Sequence, residues 1–154
     1  IQRSMTMRTK LIPIENVFPD IMVGAPNPMV FADEHVINLA YYDIENDVAL
    51  VTFSHCFEFR MGMPGEDAIS KSPYSGLGIL NFEPHVVENS PWIDELENRY
   101  EVVSEFSHDN RHYVHYLFAF HDRTFECIAS GYEVKKYSSM TVEKALIDLV
   151  STNA

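Results

Sequence analysis

The string His121-Asp122-Arg123-Thr124-Phe125-Glu126 sets an imidazole and two carboxylates close together in the chain. Imidazole and carboxylate are the usual partners in general acid–base chemistry and common ligands of divalent transition metals. His121, Asp122 and Glu126 are therefore the candidate catalytic residues. His115 lies on the same stretch, but a strand places it about 20 Å from His121. Metal ligands must converge to within about 2 Å of one ion, so these two histidines cannot share one. If the stretch is a hairpin, His121 and Glu126 are diagonal neighbours on one face, with His115 on that face too. The plainer alternative is that Asp122 caps the turn while His121 and Glu126 share a surface hydrogen bond.

Other candidates are weaker. In His108-x-x-x-His112-x-x-His115 a helix would bring the first two histidines together. Asp109-Asn110 reads as a turn instead, and on a strand His112 and His115 face opposite ways. Cys56 and Cys127 sit in apolar, strand-like runs and read as buried thiols rather than nucleophiles. His55 adjoins Cys56 but would point away from it. There is no GxGxxG opening a helix, no GK[ST] phosphate loop, no GxSxG, no CxxC and no EF-hand loop. No metal and no cofactor is expected. The aromatic content permits a small-ligand cavity, with His115, Tyr113 and Tyr132 as candidate contacts.

The elements that must position these groups read as follows. All eight prolines fall at or before Pro91. Those at 13, 19, 26 and 28 restrict residues 10–30 to extended or looping chain with at most short edge strands. Val36 to Tyr42 and Val48 to Phe59 form a first hairpin about Glu45-Asn46, which pairs Tyr42 with Ala49 and Ala40 with Val51. Both strands are apolar on both faces, so they belong at the centre of a sheet. Residues 62–80 are a Gly- and Pro-rich loop with one helical turn near Glu66 to Ser70. Ser90-Pro91 opens a helix over about 90–104, with Trp92, Leu96, Tyr100 and Val103 inward. Tyr113 to Phe120 and Thr124 to Val134 form a second hairpin that pairs Phe120 with Phe125 and Phe118 with Cys127. Its opposite face carries His115, Leu117, Ala119 and His121 against Glu126, Ile128 and Ser130. Thr141 caps a last helix over about 141–151, with Val142, Ala145, Leu146, Leu149 and Val150 as its apolar stripe. The order implies an α+β fold, with a largely antiparallel sheet built from two hairpins and two helices packed on it.

One domain is expected over residues 1–154, with the leading Ile1 to Ser4 read as a vector remnant. With 46% hydrophobic residues the chain can build a sizeable core. The formal net charge is −12, from 11 Lys and Arg against 23 Asp and Glu. Such a surface repels phosphate backbones and anionic membranes, so neither nucleic acid nor a membrane is an expected partner. A basic protein would be attracted, and a homodimer is open. No apolar run approaches the length that crosses a bilayer, and the sparse cysteines suit a reducing cytoplasm.

Gly62-Met63-Pro64-Gly65-Glu66-Asp67-Ala68, Gly76-Leu77, Asn89-Ser90-Pro91-Trp92-Ile93, Leu96-Glu97-Asn98, His115 and Phe120-His121-Asp122-Arg123-Thr124-Phe125-Glu126-Cys127 resemble a group of small bacterial proteins that share a FHDxTFEC-like string. The resemblance covers roughly residues 55–130. It implies a compact cytoplasmic domain and carries no catalytic role. Ser72-Pro73 stands where that group suggests His-Pro, so no histidine role in this loop carries over. A non-catalytic binding or interaction module is the leading expectation. A small metal-dependent or acid–base enzyme built on His121, Asp122 and Glu126 is the rival, and a small-ligand-binding domain is the third.

Overall fold

A computed structural model describes residues 8–24, 28–100 and 113–152. The chain runs β1 (Lys10–Pro13), β2 (Met29–Ala32), β3 (Val36–Tyr42), β4 (Val48–Ser54), β5 (Glu58–Gly62), a 3₁₀ turn (Glu66–Lys71), β6 (Pro84–Glu88), α1 (Pro91–Arg99), β7 (Val114–Ala119), β8 (Thr124–Ala129), β9 (Gly131–Tyr137) and α2 (Val142–Thr152). The α+β class holds, and every strand pairing is antiparallel. The two hairpin turns fall in separate sheets, and each expected long second strand is divided between them: Val48 to Phe59 breaks into β4 and β5, and Thr124 to Val134 into β8 and β9. One sheet is ordered β1-β6-β7-β8-β5 and the other β2-β3-β4-β9. The proline-punctuated segment supplies β1 and β2, both edge strands, where a missing N–H costs no ladder bond.

The sheets bury one aromatic core between them. Ile37, Leu39, Tyr41, Val51 and Phe53 meet Tyr116, Phe118, Phe125 and Cys127 there. The α2 helix covers the far side of the smaller sheet through Val142, Ala145 and Leu146 on Ala40, Val48 and Leu50. Thr141 caps it, its Oγ1 accepting from Lys144 N at 3.2 Å. Val150, expected in the buried stripe, is exposed. The far side of the larger sheet is covered by α1 and by residues 69–79. That loop is a layer of the fold, since Tyr74 packs on Leu117 and Ala119, and Leu11 N donates to Leu77 O. Gly78 fits there at φ +106 because a Cβ would meet Leu11 O at 2.6 Å.

The α1 helix begins as expected, with Pro91 in its first turn and Ser90 Oγ accepting from Ile93 N at 3.2 Å. Trp92 and Leu96 face the sheet. The expected continuation to residue 104, with Val103, and the His108 and His112 spacing lie outside the described residues.

Both hairpin registers differ from expectation. In the first, Tyr42 pairs with Val48 and Ala40 with Leu50, one residue from the expected pairing. The Asp43 carboxylate organises a loop over 43–47, its Oδ1 accepting from Glu45 N at 2.9 Å and Asp47 N at 3.0 Å. Asn46 takes φ 62, as a tight turn asks of it. A one-residue slip exchanges faces, but strands apolar on both sides leave no pattern to detect it. In the second hairpin Phe118, not Phe120, pairs with Phe125, and Tyr116, not Phe118, pairs with Cys127. Phe120 N donates to Arg123 O, so the tip is His121-Asp122. The slip is two residues, so every side chain keeps its face and changes its neighbour.

Candidate functional site

The second hairpin's register decides which histidine Glu126 meets. Glu126 lies opposite Leu117 on β7 and opposite Arg60 on β5. Its diagonal histidine is therefore His115, and His115 Nε2 lies 2.8 Å from Glu126 Oε1. The expected His121–Glu126 pair does not form. His121 Nδ1 instead meets Glu66 Oε2 at 2.8 Å, on the 3₁₀ turn.

Around Glu126 the side chains converge. Arg60 Nε donates to Oε2 at 2.8 Å, and Arg60 Nη2 donates to Oε1 at 3.1 Å. This forked contact is the strongest form of the Arg–carboxylate pair. The Tyr74 hydroxyl donates to Oε1 at 2.6 Å. Beyond His115 the chain continues to Ser90, whose Oγ lies 2.6 Å from His115 Nδ1. The ionised Glu126 carboxylate only accepts, so the proton between it and His115 sits on Nε2; burial favours the neutral ring, which leaves Nδ1 to accept from the Ser90 hydroxyl. The helix cap and the sheet are thus tied by one line of hydrogen bonds.

Aromatic rings close this line off from solvent. Trp92 stands edge-on to His115 with centroids 5.2 Å apart, and the Arg60 guanidinium lies 4.1 Å over the Trp92 ring. Trp92 Nε1 donates to Glu58 Oε2 at 3.1 Å. Burial pushes the His115 pKa down, against the pull of Glu126. Burial also opposes ionisation of Glu126. The bonds from His115, Arg60 and Tyr74 outweigh it and hold the carboxyl at about 2. The Tyr74 hydroxyl is pushed upward, first by burial and then by the Glu126 charge.

A cleft of about 400 Å³ opens beside this group. Arg60, Ser72, Tyr74, Thr124 and Glu126 contribute its polar side, while Met63, Pro64 and Pro73 contribute apolar walls. Thr124 Oγ1 donates to Pro64 O at 2.7 Å and pins the near wall. Gly65 lets that wall close, because a Cβ there would sit 2.8 Å from the Asp122 backbone.

At the hairpin tip, His121, Glu66, Asp67, Asp122 and Arg123 line a shallower hollow of about 290 Å³. His121 Nε2 is 3.8 Å from Asp122 Oδ1, and the His121 side chain is 47% exposed. Among the described residues no group of three or more His, Cys, Asp and Glu is placed to hold a metal ion. The structure does not bring the remaining candidates together either. Tyr113 packs beside α1 with Phe57. Tyr132, on β9, rests against Tyr116 and Phe18 at the rim of the inter-sheet core. Cys127 is buried as expected, and burial raises its thiol pKa. Cys56 is only partly buried and lies between β4 and β5 rather than in a strand. One further buried histidine stands apart. His85 Nε2 accepts from Leu80 N at 3.0 Å.

Sequence reasoning missed Arg60, Tyr74 and the second role of Ser90. One signal was available. Glu126 sits in an otherwise apolar strand, and a carboxylate there needs a cation across the ladder. Arg60, alternating with Phe59 and Met61, is the cation in a strand-like run that could supply it. Among the described residues no helix is long and apolar enough to cross a membrane. Comparison with protein-family models, with curated proteins and with solved structures finds no match.

Proposed function

We propose that this protein is a small binding module, not an enzyme, and that it recognises a small molecule in the cleft beside Arg60 and Tyr74. One observation carries the reading. The buried histidine–carboxylate pair is already satisfied, because Glu126 accepts from His115, Tyr74 and both sides of the Arg60 fork. A general base needs a pKa near working pH and a free lone pair aimed at substrate. Glu126 has a depressed pKa and a crowded Oε1, which suits a scaffold. The cleft resting on that scaffold is mostly apolar with a few converging polar groups, the usual make-up of a ligand pocket. The free thiols fit a reducing cytoplasm.

The test is a fragment library screened by ¹H–¹⁵N correlation spectra of the intact chain. Binding there shifts amides of residues 60–64 and 72–74 together. If no fragment gives shifts confined to those residues, the reading fails. An activity that Glu126→Gln abolishes in a folded protein would also overturn it. So would stoichiometric zinc in protein purified without chelator, lost on His121→Ala.

The net charge of −12 favours a second reading, a basic protein partner held by the acidic surface. Capture of such a partner at low salt and its release at high salt would support it. A homodimer would show as a doubled mass in solution.

A further inference from the structure

We infer that Cys56 and Cys127 form a redox pair, which a peroxide closes into an internal disulfide. They are the chain's two cysteines, and both are free thiols. Far apart in sequence, they meet behind β5. Phe59 pairs with Cys127, and Phe57 N donates to Ile128 O at 2.7 Å, so residues 56–59 run alongside 127 and 128. Phe57 goes outward with Ile128 to the α1 layer. Cys56 turns inward and packs on the inter-sheet core to which Cys127 belongs. There the Cys127 thiol is hydrogen-bonded to Cys56. Cys56 Sγ donates its own proton to Glu58 O at 3.3 Å, so it is the acceptor of the Cys127 proton.

The two thiols have unequal access. Cys127 is fully buried in β8, while Cys56 is half-buried in the connection between β4 and β5. An oxidant therefore reaches Cys56 first, and a peroxide is small enough to do so. The Cys56 sulfur gives two electrons to the peroxide, whose O–O bond breaks. One oxygen stays as the sulfenic acid, and the other leaves as water with the Cys56 proton. Cys127 Sγ then attacks Cys56 Sγ, the S–O bond breaks, and the hydroxyl departs as water with the Cys127 proton. In sum, two thiols and one hydrogen peroxide give one disulfide and two waters. The sulfurs must close to about 2 Å, and Cys56, outside any strand, is the partner free to move. Burial and the bond to Cys56 keep the Cys127 thiol protonated, so it acts as the resolving thiol and not as the one first oxidised. The new bond would fasten β5, an edge strand that pairs only with β8. A reversible disulfide of this kind is the sort found in reducing compartments.

Treating the reduced, folded chain with a small excess of hydrogen peroxide tests the pair. Both thiols should disappear, and a peptide map should show one disulfide joining Cys56 to Cys127, with no chain-to-chain link on a non-reducing gel. Dithiothreitol should restore both thiols. Amides of residues 58–62 should exchange more slowly in the oxidised chain and recover on reduction. Cys56→Ser should leave Cys127 unmodified at the same dose. Cys127→Ser lacks the resolving thiol, so its Cys56 should go on to sulfinic acid or to a disulfide between chains. If Cys127→Ser does not fold, the wild type and Cys56→Ser decide. Two intact thiols in the wild type, at a dose that fully oxidises free glutathione, overturn the inference. So does wild-type Cys56 ending as sulfinic acid or as a link between chains. A disulfide that forms without slowing exchange over 58–62 overturns the fastening of β5. None of these readouts depends on a ligand in the cleft.

Discussion

Two histidine–carboxylate pairs lie along the second hairpin, built of the same groups at the same distance. His115–Glu126 and His121–Glu66 are each 2.8 Å apart. His115 is fully buried and its carboxylate nearly so, whereas His121 and Glu66 are 47% and 36% exposed. The buried pair holds further partners on three other segments, while the exposed one is tied to a neighbouring loop and to water. Pair chemistry alone therefore says little about consequence. In the buried pair, losing one member strands the other; in the exposed pair, solvent takes its place.

The largest test of this contrast is Glu126→Ala. It leaves the Tyr74 hydroxyl and His115 Nε2–H without an acceptor, and Arg60 without its counter-ion. Removing one partner of a buried pair costs about 3–5 kcal/mol. Because half of the Arg60 side chain reaches solvent, the lower end applies. A fall in the denaturation midpoint at unchanged slope measures it. A loss under about 1 kcal/mol would mean that the line of bonds does not hold the outer layer.

Acid sharpens the comparison next. Glu126 has a folded pKa of about 2 against an ordinary 4.5. Its stabilisation is present above pH 4.5 and is lost as pH falls toward 2, by about 3 kcal/mol in all. His115 and His85 have pKa values depressed by burial from 6.5. Their unfolded forms take up protons first, so their contribution is whole above pH 6.5 and declines below it. Stability should therefore fall in two stages, a shallow one starting near pH 6.5 and a steeper one below pH 4.5. Glu126→Gln should shrink the lower stage and deepen the upper, because the Glu126 charge is what holds the His115 pKa up against burial. An unchanged lower stage would assign it to other carboxylates.

Ser90→Ala tests the far end of the buried line. It removes the α1 cap and the proton donor to His115 together. Thr141→Ala removes a cap alone, on α2. A cap is worth about 1 kcal/mol and a buried unsatisfied acceptor about as much again. Ser90→Ala should thus cost roughly twice what Thr141→Ala does. Equal losses would mean that the Ser90–His115 bond contributes nothing.

These two caps also mark what was legible in the sequence. Ser90, Thr141, the proline-bound edge strands and Asn46 in its turn act through neighbours a few residues away, and local rules reach them. The face of each residue on β7 and β8 was legible too, because Tyr116, Phe118, Phe125 and Cys127 form one aromatic and small face and alternate with a mixed face that carries His115 and Glu126 among Leu117, Ala119 and Ile128. Pairing was not. The first hairpin, apolar on both faces, has no pattern to register against, and its loop is set by the Asp43 side chain. The two-residue slip in the second moved Glu126 from His121 to His115 without changing any face. Arg60 and Glu126 meet across 66 residues of sequence, by a strand pairing that no local signal announces. The site is therefore tertiary, although most of its elements are not.

The smallest effect belongs to the exposed pair, and it shows what fastens the loop that walls the cleft. Glu66→Ala removes the ion pair with His121 but leaves Glu66 N donating to His121 O at 2.7 Å. An exposed pair is worth about 0.2–1 kcal/mol, so the loss should stay within that range and shrink with added salt. Gly65→Ala leaves the ion pair's groups intact and puts a Cβ 2.8 Å from the Asp122 backbone, where nothing flexible can yield. Overpacking of that kind costs about 1–3 kcal/mol. Thermal midpoints of the two variants should rank Gly65→Ala below Glu66→Ala. The reverse order would make the His121–Glu66 contact, rather than close backbone packing, the fastening of the cleft wall, and the exposed pair would then matter in the way reserved here for the buried one.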